Sequence, residues 1–355
     1  MKVTQVQQHI ETLYKAGCRH TLFLQGSPGI GKSESTKNAA TELGAYFMKE
    51  EPNSKFGFEQ WQATIEDPLE LPGLPTVRGD RAVRVPFADK IPQEGRGILC
   101  IDEINSASTL TQCSLYSLVW DRKLGGCKLG DDWMIVATGN SDKDRAVTQR
   151  IPTPLVSRME HIEIEPDHDG WIVWMAVRGG HESVRAFVKA RPDLFTNFKP
   201  DVPGPFACPR TWTMVSDVMM AYNGKTPPIE SIQGWVGQGP ATEFLTYHMM
   251  AMDLPDPEAV LKNPRGIKFN DSPGALYALT TALAGRGNFQ NFGAILEFLA
   301  RIPIEFAVYC VSLSRDVERG RLARMSEEDK KKYKKMKDNN DFRNWCLKHH
   351  ELIVT

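Results

Sequence analysis

Short apolar runs alternate with longer amphipathic stretches along the first two-thirds of the chain, a pattern typical of an α/β fold. The runs predict strands at 20–25, 58–64, 97–101, 133–137 and 161–164. The third and fourth runs are apolar throughout, as expected of central parallel strands that helices cover on both faces. Helical spacing marks 33–43, a helix expected to end at Gly44, and 107–121.

After Pro166 the strand signals fade and amphipathic helical spacing takes over. Helices are predicted at 171–177, 182–189, 211–222, 276–283 and 294–311. The sequence therefore predicts three parts: an α/β domain at 1–165, a small helical domain at 166–250 and a helical C-terminal extension at 251–355.

With 41 % hydrophobic and 25 % charged residues among 355, the composition is that of an ordinary globular chain. No apolar run approaches the ~18 residues that a membrane-spanning helix needs, and the N-terminal segment lacks the apolar core of a secretory signal. Seven cysteines without close spacing fit a reducing compartment, so we expect a cytosolic protein. Cys100 and Cys310 stand in apolar runs and are expected in the core, as are Trp171 and Trp174.

The formal net charge of −1 conceals a basic tail. Residues 315–350 hold 12 Lys and Arg against 7 Asp and Glu, an excess of 5 positive charges. A solvated helix face is the plainer interpretation of such a segment. A surface for nucleic acid or another acidic partner is the alternative.

Residues 26–33 match the pattern GxxxxGK[ST] in full, after a predicted strand and before a predicted helix. The match consists of Gly26, Ser27, Pro28, Gly29, Ile30, Gly31, Lys32 and Ser33. Glycines let such a loop fold tightly, so that its N–H groups surround phosphate oxygens, and the helix dipole adds positive potential. Lys32 is expected to reach the β- and γ-phosphates and Ser33 to ligand Mg²⁺. The segment predicts a nucleotide phosphate site.

Two further motifs lie where predicted strands end. Asp102 and Glu103 follow an apolar run, and ligands bind at the carboxyl edge of a parallel sheet. We expect Asp102 to hold the Mg²⁺ shell and Glu103 to polarise the water that attacks the γ-phosphate. Asn140 ends the strand in WMIVATGN, where its amide could orient that water without competing for the proton. Hydrolysis of the nucleotide is therefore expected as well as binding.

In the order GSPGIGKS, ILCIDEIN, ATGN, RIPTPLVSRM and CPRTW, these motifs resemble those of the AAA+ ATPases, in particular their MoxR-like branch. The resemblance covers residues 1–250 and implies an AAA+ parallel sheet flanked by helices, a small helical lid, and the use of ATP with Mg²⁺. It makes 26–33 the Walker A motif, 98–103 the Walker B motif and Asn140 the sensor 1 residue. The chain has no Asn-Lys-x-Asp signature for guanine, which leaves GTP open while the resemblance points to adenine.

The resemblance also implies a homo-oligomeric ring, most often a hexamer, in which neighbouring subunits share each site. Arg158 in PLVSRM is similar to the arginine finger that reaches the neighbour's ATP, with Arg145 and Arg150 as alternatives. Met159 departs from the family by standing where an aromatic residue commonly follows the finger. Arg210 in CPRTW is similar to sensor 2, which contacts the γ-phosphate from the lid. A guanidinium suits both tasks because it is a planar, permanently charged donor.

Residues 76–87 have the pattern of a hairpin that turns at 79–80, and 123–131 predicts a second, glycine-rich hairpin. Three arginines lie in or beside the first turn: Arg78, Arg81 and Arg84. MoxR-like proteins carry an insert at the first position, which projects toward the pore of the ring. The two loops are interpreted either as grips on a substrate or as ordinary surface hairpins.

Three functions are compatible with these motifs. The resemblance favours an ATPase that remodels a protein partner, often beside a protein with a von Willebrand A domain. The arginine hairpin and the basic tail keep a DNA-acting motor as the alternative. A nucleotide-gated scaffold with little turnover is the third, and the presence of Glu103 and Asn140 argues against it.

Overall fold

The computed structural model describes residues 1–85, 87, 91–141 and 149–354. The chain forms two compact units. The α/β unit consists of Met1–Asp167 with Lys199–Pro203, and the helical unit of His168–Phe198 with Gly204–Thr355. The boundary expected at residue 250 stays a prediction.

A five-stranded parallel sheet is the centre of the α/β unit. The strands described in this unit are β1 (Thr21–Gln25), β2 (Phe56–Gln62), β3 (Leu74–Arg78), β4 (Arg81–Val85), β5 (Arg96–Asp102), β6 (Lys123–Leu124), β7 (Cys127–Lys128), β8 (Asp132–Gly139) and β9 (Met159–Glu163). The sheet has the order β2-β5-β8-β1-β9. Strands β3–β4 and β6–β7 form the two predicted hairpins. The P-loop strand β1 is therefore an interior strand.

Helices cover both faces of this sheet. One face carries α1 (Val3–Lys15) and α2 (Lys32–Glu50), and the other α3 (Thr109–Ser114), α4 (Tyr116–Asp121) and α5 (Thr153–Val156). Alternation along β1 sends Leu22 and Leu24 into the core with α1 and α2, and Phe23 into the opposite core. All three side chains are fully buried, as expected of a central strand.

The helix after the phosphate loop is longer than predicted. The expectation that it ends at Gly44 is wrong, because α2 continues to Glu50. Phe47, beyond that glycine, packs its ring against Tyr14 and Phe56 with centroid distances of 5.8 and 6.0 Å. This packing outweighs the cost of about 1 kcal/mol for a glycine inside a helix.

The helical unit has one continuous hydrophobic core. Its helices are α6 (His168–Arg178), α7 (Glu182–Ala190), α8 (Pro209–Ala221), α9 (Ile229–Val236), α10 (Gln238–Met252), α11 (Pro257–Lys262), α12 (Pro273–Arg286), α13 (Phe292–Leu299), α14 (Ile304–Arg324), α15 (Glu327–Lys332), α16 (Asn340–Lys348) and α17 (His350–Val354). Trp171 and Trp174 pack in this core, and Cys310 is fully buried, as predicted. The helix predicted over 294–311 is two helices, because Pro303 caps the start of the second. Among the described helices, none combines the length and apolar character needed to cross a bilayer.

Candidate functional site

The glycine-rich sequence forms a tight loop between the carboxyl end of β1 and the start of α2. Gly29 and Gly31 have φ values of 75° and 104°, in the left-handed region that glycine adopts without strain. Gly26 is required for a different reason, because a Cβ there would lie 2.7 Å from the carbonyl oxygen of Ile164. The 19-residue helix α2 starts at Lys32, so the positive end of its dipole faces the loop.

Lys32 connects this loop to the neighbouring strand. Its Nζ donates to the carbonyl oxygens of Gly26 and Ser27 at 2.6 and 3.0 Å, and to Asn140 Oδ1 at 3.3 Å. Asn140 directly follows β8, the strand beside β1. Two residues predicted from separate motifs are therefore in contact.

The carboxylate of Asp102 accepts hydrogen bonds from three side chains. Ser33 Oγ lies 2.9 and 3.0 Å from its two oxygens, and Gln60 Nε2 donates to Oδ2 at 3.0 Å. The hydroxyl of Thr138, which is fully buried, donates to Oδ1. The two residues predicted as Mg²⁺ ligands are thus adjacent, and two further side chains orient the carboxylate.

Glu103, the next residue, has an unusual backbone conformation. Its φ and ψ of 56° and 40° lie in the left-handed region, which costs a residue other than glycine about 1–2 kcal/mol. Its N–H donates to Thr138 Oγ1 at 3.3 Å, so the hydroxyl that orients Asp102 also holds this turn. The side chain is half-buried at the carboxyl edge of β5.

Asn105 holds the backbone of Asn140 on both sides. Its Nδ2 donates to the Asn140 carbonyl oxygen at 2.7 Å, and its Oδ1 accepts from the Asn140 N–H at 3.1 Å. Asn105 is fully buried. The sensor candidate is therefore fixed by a residue of the turn that follows Asp102 and Glu103.

Sequence analysis missed Gln60, Thr138 and Asn105. The strand register places Gln60 and Thr138 on the two strands that flank β5, close to the end of each. Their signal in the sequence is a polar side chain near the carboxyl end of a strand. It was not sufficient, because the sequence does not specify which strands are neighbours.

Arg158 lies at the amino ends of the parallel strands, whereas the phosphate loop lies at their carboxyl ends. It immediately precedes β9, and Met159 pairs with Thr21 at the amino end of β1. The five residue-to-residue steps from Thr21 to Gly26 correspond to about 16 Å of strand. Arg158 is partly buried and its guanidinium donates to the carbonyl oxygen of Pro154.

The other predicted arginines occupy different places. Arg150 is exposed and follows Gln149, whose N–H donates to the Asn105 carbonyl oxygen at 2.7 Å, at the carboxyl edge. Arg145 lies outside the described residues. Arg210 is exposed in the first turn of α8, in the helical unit.

The site has the donors that a nucleotide with Mg²⁺ requires. Ser33 and Asp102 offer the hard oxygen ligands that Mg²⁺ takes beside phosphate. The glycine loop, the Lys32 ammonium and the α2 terminus supply the positive potential for phosphates. In the described part of the chain, no group of three or more His, Cys, Asp or Glu side chains could hold a metal ion.

A parallel sheet between helical layers, with a glycine-rich loop between an interior strand and a long helix, defines the P-loop α/β fold. A helical region follows it in the chain. The predicted fold class is confirmed.

No protein-family model matches this sequence, and no curated protein matches it. Among solved structures, the chain is similar to NtrX from Brucella abortus at 16 % identity and a TM-score of 0.40, over 87 % of this chain and 67 % of that one. NtrX in complex with ATP gives 15 % identity, a TM-score of 0.40 and the same coverage. A RuvB mutant from Thermotoga maritima gives 14 % identity and a TM-score of 0.37, over 79 % of this chain and 80 % of that one. These likenesses are weak, so the function is inferred from the chain's own site.

Proposed function

We propose that this chain is a cytosolic, ring-forming AAA+ ATPase of the MoxR-like kind, which couples hydrolysis of Mg-ATP to the remodelling of a protein partner. The observation that carries the ATPase assignment is the meeting of side chains from three motifs at one edge of the sheet. Lys32 contacts Asn140, and Ser33 contacts Asp102, with Glu103 the next residue.

Each of these residues has a role that its geometry supports. Lys32 binds the terminal phosphates, and Ser33 and Asp102 hold Mg²⁺, which neutralises charge on the phosphate oxygens when bound. Glu103 polarises the attacking water and accepts its proton. Asn140 orients that water, because its amide is a donor and acceptor that does not take the proton.

A second copy of the chain completes the site in this proposal. Arg158 is separated from its own phosphate loop by about 16 Å of strand, which is farther than an arginine side chain reaches. We propose that Arg158 serves the nucleotide of a neighbour instead, as the family resemblance implies. For Arg210 we propose the sensor 2 role that the family resemblance implies.

Mixing two inactive variants tests this arrangement. Glu103→Gln and Arg158→Ala should each lower ATP hydrolysis by on the order of 10²-fold or more. A mixture should regain activity at about a quarter of its interfaces, because Arg158→Ala subunits keep Glu103 and can receive Arg158 from the partner variant. Steady-state phosphate release measures this.

Arg150→Ala is the matched control, since Arg150 lies at the opposite edge of the sheet from Arg158. If a mixture of Glu103→Gln with Arg150→Ala regains activity and a mixture of Glu103→Gln with Arg158→Ala does not, the arginine finger is Arg150. A wild-type rate no higher than that of Glu103→Gln would reject hydrolysis and favour a nucleotide-gated scaffold.

The two hairpins are the proposed contacts to the protein partner, with an adaptor that has a von Willebrand A domain as one candidate. A Cβ at Gly125, in the β6–β7 turn, would lie 2.4 Å from the carbonyl oxygen of Pro72, just before β3. The turn of the β6–β7 hairpin therefore packs against the base of the β3–β4 hairpin, and we propose that the two act as one contact surface. The Glu103→Gln variant should retain ATP and hold its partner for longer. The proteins that copurify with it should therefore include the remodelling substrate.

A DNA-acting motor is the second candidate function. Arg78 and Arg81 are directly opposite each other in the β3–β4 register, and both are exposed. Like charges in that position destabilise a hairpin, so an anionic partner would relieve their repulsion. Binding of labelled DNA in the presence of ATP across a salt series distinguishes the two functions. A steep salt dependence supports DNA, and no binding at low salt excludes it.

A further inference from the structure

The side chain of Asn105 pairs with the backbone of Asn140, at a point where β5 no longer pairs with the chain that follows β8. Backbone pairing between β5 and β8 runs as far as Ile101 opposite Ala137, and β5 ends at Asp102. Asn140 lies beyond that pairing, and the Asn105 amide satisfies both its N–H and its carbonyl oxygen. A two-point contact of this kind restricts rotation of the Asn140 backbone, and so restricts where its side chain points.

The Asn105 amide is itself tightly enclosed. A Cβ at Gly139 would lie 2.5 Å from Asn105 Oδ1 and 2.8 Å from Phe23 Cε2, so only glycine allows this approach. The main chain of Asn105 is held as well, because its carbonyl oxygen accepts from the Gln149 N–H at 2.7 Å. The amide therefore has little freedom to move independently of Asn140.

The same residue is joined closely to Glu103. Asn105 lies in the turn Ile104–Ser106, and the Ser106 N–H donates to the Glu103 carbonyl oxygen at 2.9 Å. Glu103 and Asn140, the two residues assigned to the attacking water, are thus both held by one short turn.

We infer that Asn105 is a positioning residue, which sets Asn140 relative to Glu103 through its two hydrogen bonds to the Asn140 backbone. The inference rests on the proposed ATPase function for its kinetic consequence. Its structural consequence, an ordered Asn140 backbone, is independent of nucleotide.

Hydrogen exchange without nucleotide tests the structural part. Asn105→Leu removes both hydrogen bonds, and the peptide that contains the Asn140 N–H should exchange faster. Asn105→Asp keeps the acceptor for that N–H and loses only the donor, so protection should remain closer to wild type. Gln112→Leu is the control, because Gln112 is also a fully buried amide in this unit and donates to the Ala107 carbonyl oxygen instead. Equal exchange in Asn105→Leu and wild type would overturn the inference.

A double-mutant cycle with Asn140→Ala tests the kinetic part. Asn105→Leu should lower kcat about tenfold to a hundredfold, with the Kd of a fluorescent ATP analogue changed less than about twofold. In the Asn140→Ala background the same substitution should have almost no further effect on kcat. Additive losses, or a loss of nucleotide affinity that matches the loss of kcat, would overturn the inference.

The two proposals fail differently in these experiments. Absence of ATP hydrolysis in the wild type would reject the ATPase function, while the exchange comparison would still decide whether Asn105 orders Asn140. Normal hydrolysis with additive effects would reject the role of Asn105 alone. If Asn105→Leu does not fold, Asn105→Asp, of the same size, carries the kinetic test.

Discussion

Both units bury polar side chains, but in different surroundings. The α/β unit buries Thr138 and Asn105, and the helical unit buries Arg185 and His248. The hydroxyl of Thr138 and both amide atoms of Asn105 have hydrogen-bond partners at the candidate site. In the helical unit, Arg185 Nη1 and His248 Nε2 are buried without a partner among the described residues. Burial with partners fixes a geometry, whereas burial without them penalises the charged form of the side chain.

The helical unit shows this penalty in its ionisation. Burial lowers the pKa of His181 to about 4, with the nearby His248 and Arg185 adding to the shift and Glu182 opposing it. Burial also lowers the pKa of His248 and that of Arg185. We therefore expect substitutions to be the main influence on activity at the α/β site. In the helical unit we expect pH, as well as substitutions, to change the free energy of unfolding.

The largest expected effect is at the phosphate loop. Lys32→Ala should lower ATP hydrolysis by on the order of 10³-fold, because it removes the ammonium that is proposed to bind the terminal phosphates. Lys37→Ala, on an exposed position one turn further along α2, should leave the rate unchanged. Steady-state phosphate release and a thermal melt measure rate and folding separately. Similar losses in both variants would contradict the assignment of the loop.

The second effect concerns pH and the helical unit. The pKa of His181 is about 4 in the folded chain and near 6.5 when unfolded, so the unfolded state binds more protons between these values. The free energy of unfolding should therefore be highest above pH 6.5 and should fall by about 2–3 kcal/mol as the pH is lowered toward 4. Urea unfolding at both pH values measures it. His181→Asn, which can still cap α7, should remove most of this dependence. An unchanged pH slope in that variant would refute the prediction.

A smaller effect is expected at Thr138. Thr138→Val keeps the shape but removes the donor to Asp102 and the acceptor for the Glu103 N–H, so hydrolysis should fall about tenfold. The Mg²⁺ concentration for half-maximal rate should rise. Thr21→Val is the matched control, because Thr21 is equally buried but bonds to the Val119 carbonyl oxygen at the other edge of the sheet. Equal losses in the two variants would indicate general destabilisation instead.

The smallest effect is at Arg185. Its Nε donates to the Gly180 carbonyl oxygen at 3.2 Å, but Nη1 has no partner among the described residues. Arg185→Met should therefore leave the free energy of unfolding unchanged or raise it by up to about 1 kcal/mol. Arg286→Met, which breaks a 2.7 Å contact with Glu182, should lower it slightly. A loss of more than about 2 kcal/mol in Arg185→Met would show that the guanidinium has a structural partner.

The local features of the chain could be predicted from its sequence. The phosphate loop combines residue types and spacing that determine its own geometry, so the position of Lys32 and Ser33 at the start of α2 could be predicted directly. The turn of the β3–β4 hairpin was found for the same reason, since Gly79 supplies the positive φ of 66° that the turn needs. The position of Asp102 and Asn140 at the carboxyl edge could be predicted because Asp102 ends one apolar strand and Asn140 follows another.

Features that depend on distant packing could not be predicted. Thr138 and Gln60 contact Asp102 only because β8 and β2 are the neighbours of β5, and the order of strands has no local signal. Asn105 was missed because its two hydrogen bonds reach a residue 35 positions away. The prediction that the helix ends at Gly44 was wrong for the same reason. The helix continues because Phe47 contacts residues of other elements.

The left-handed backbone of Glu103 places stability and activity in opposition. A glycine there would adopt the same φ of 56° at no steric cost, and the fold should gain from the exchange. The carboxylate that the proposed hydrolysis needs would be lost. Selection for thermal stability alone would therefore tend to remove this side chain, and its retention in a strained conformation is what selection for turnover would preserve.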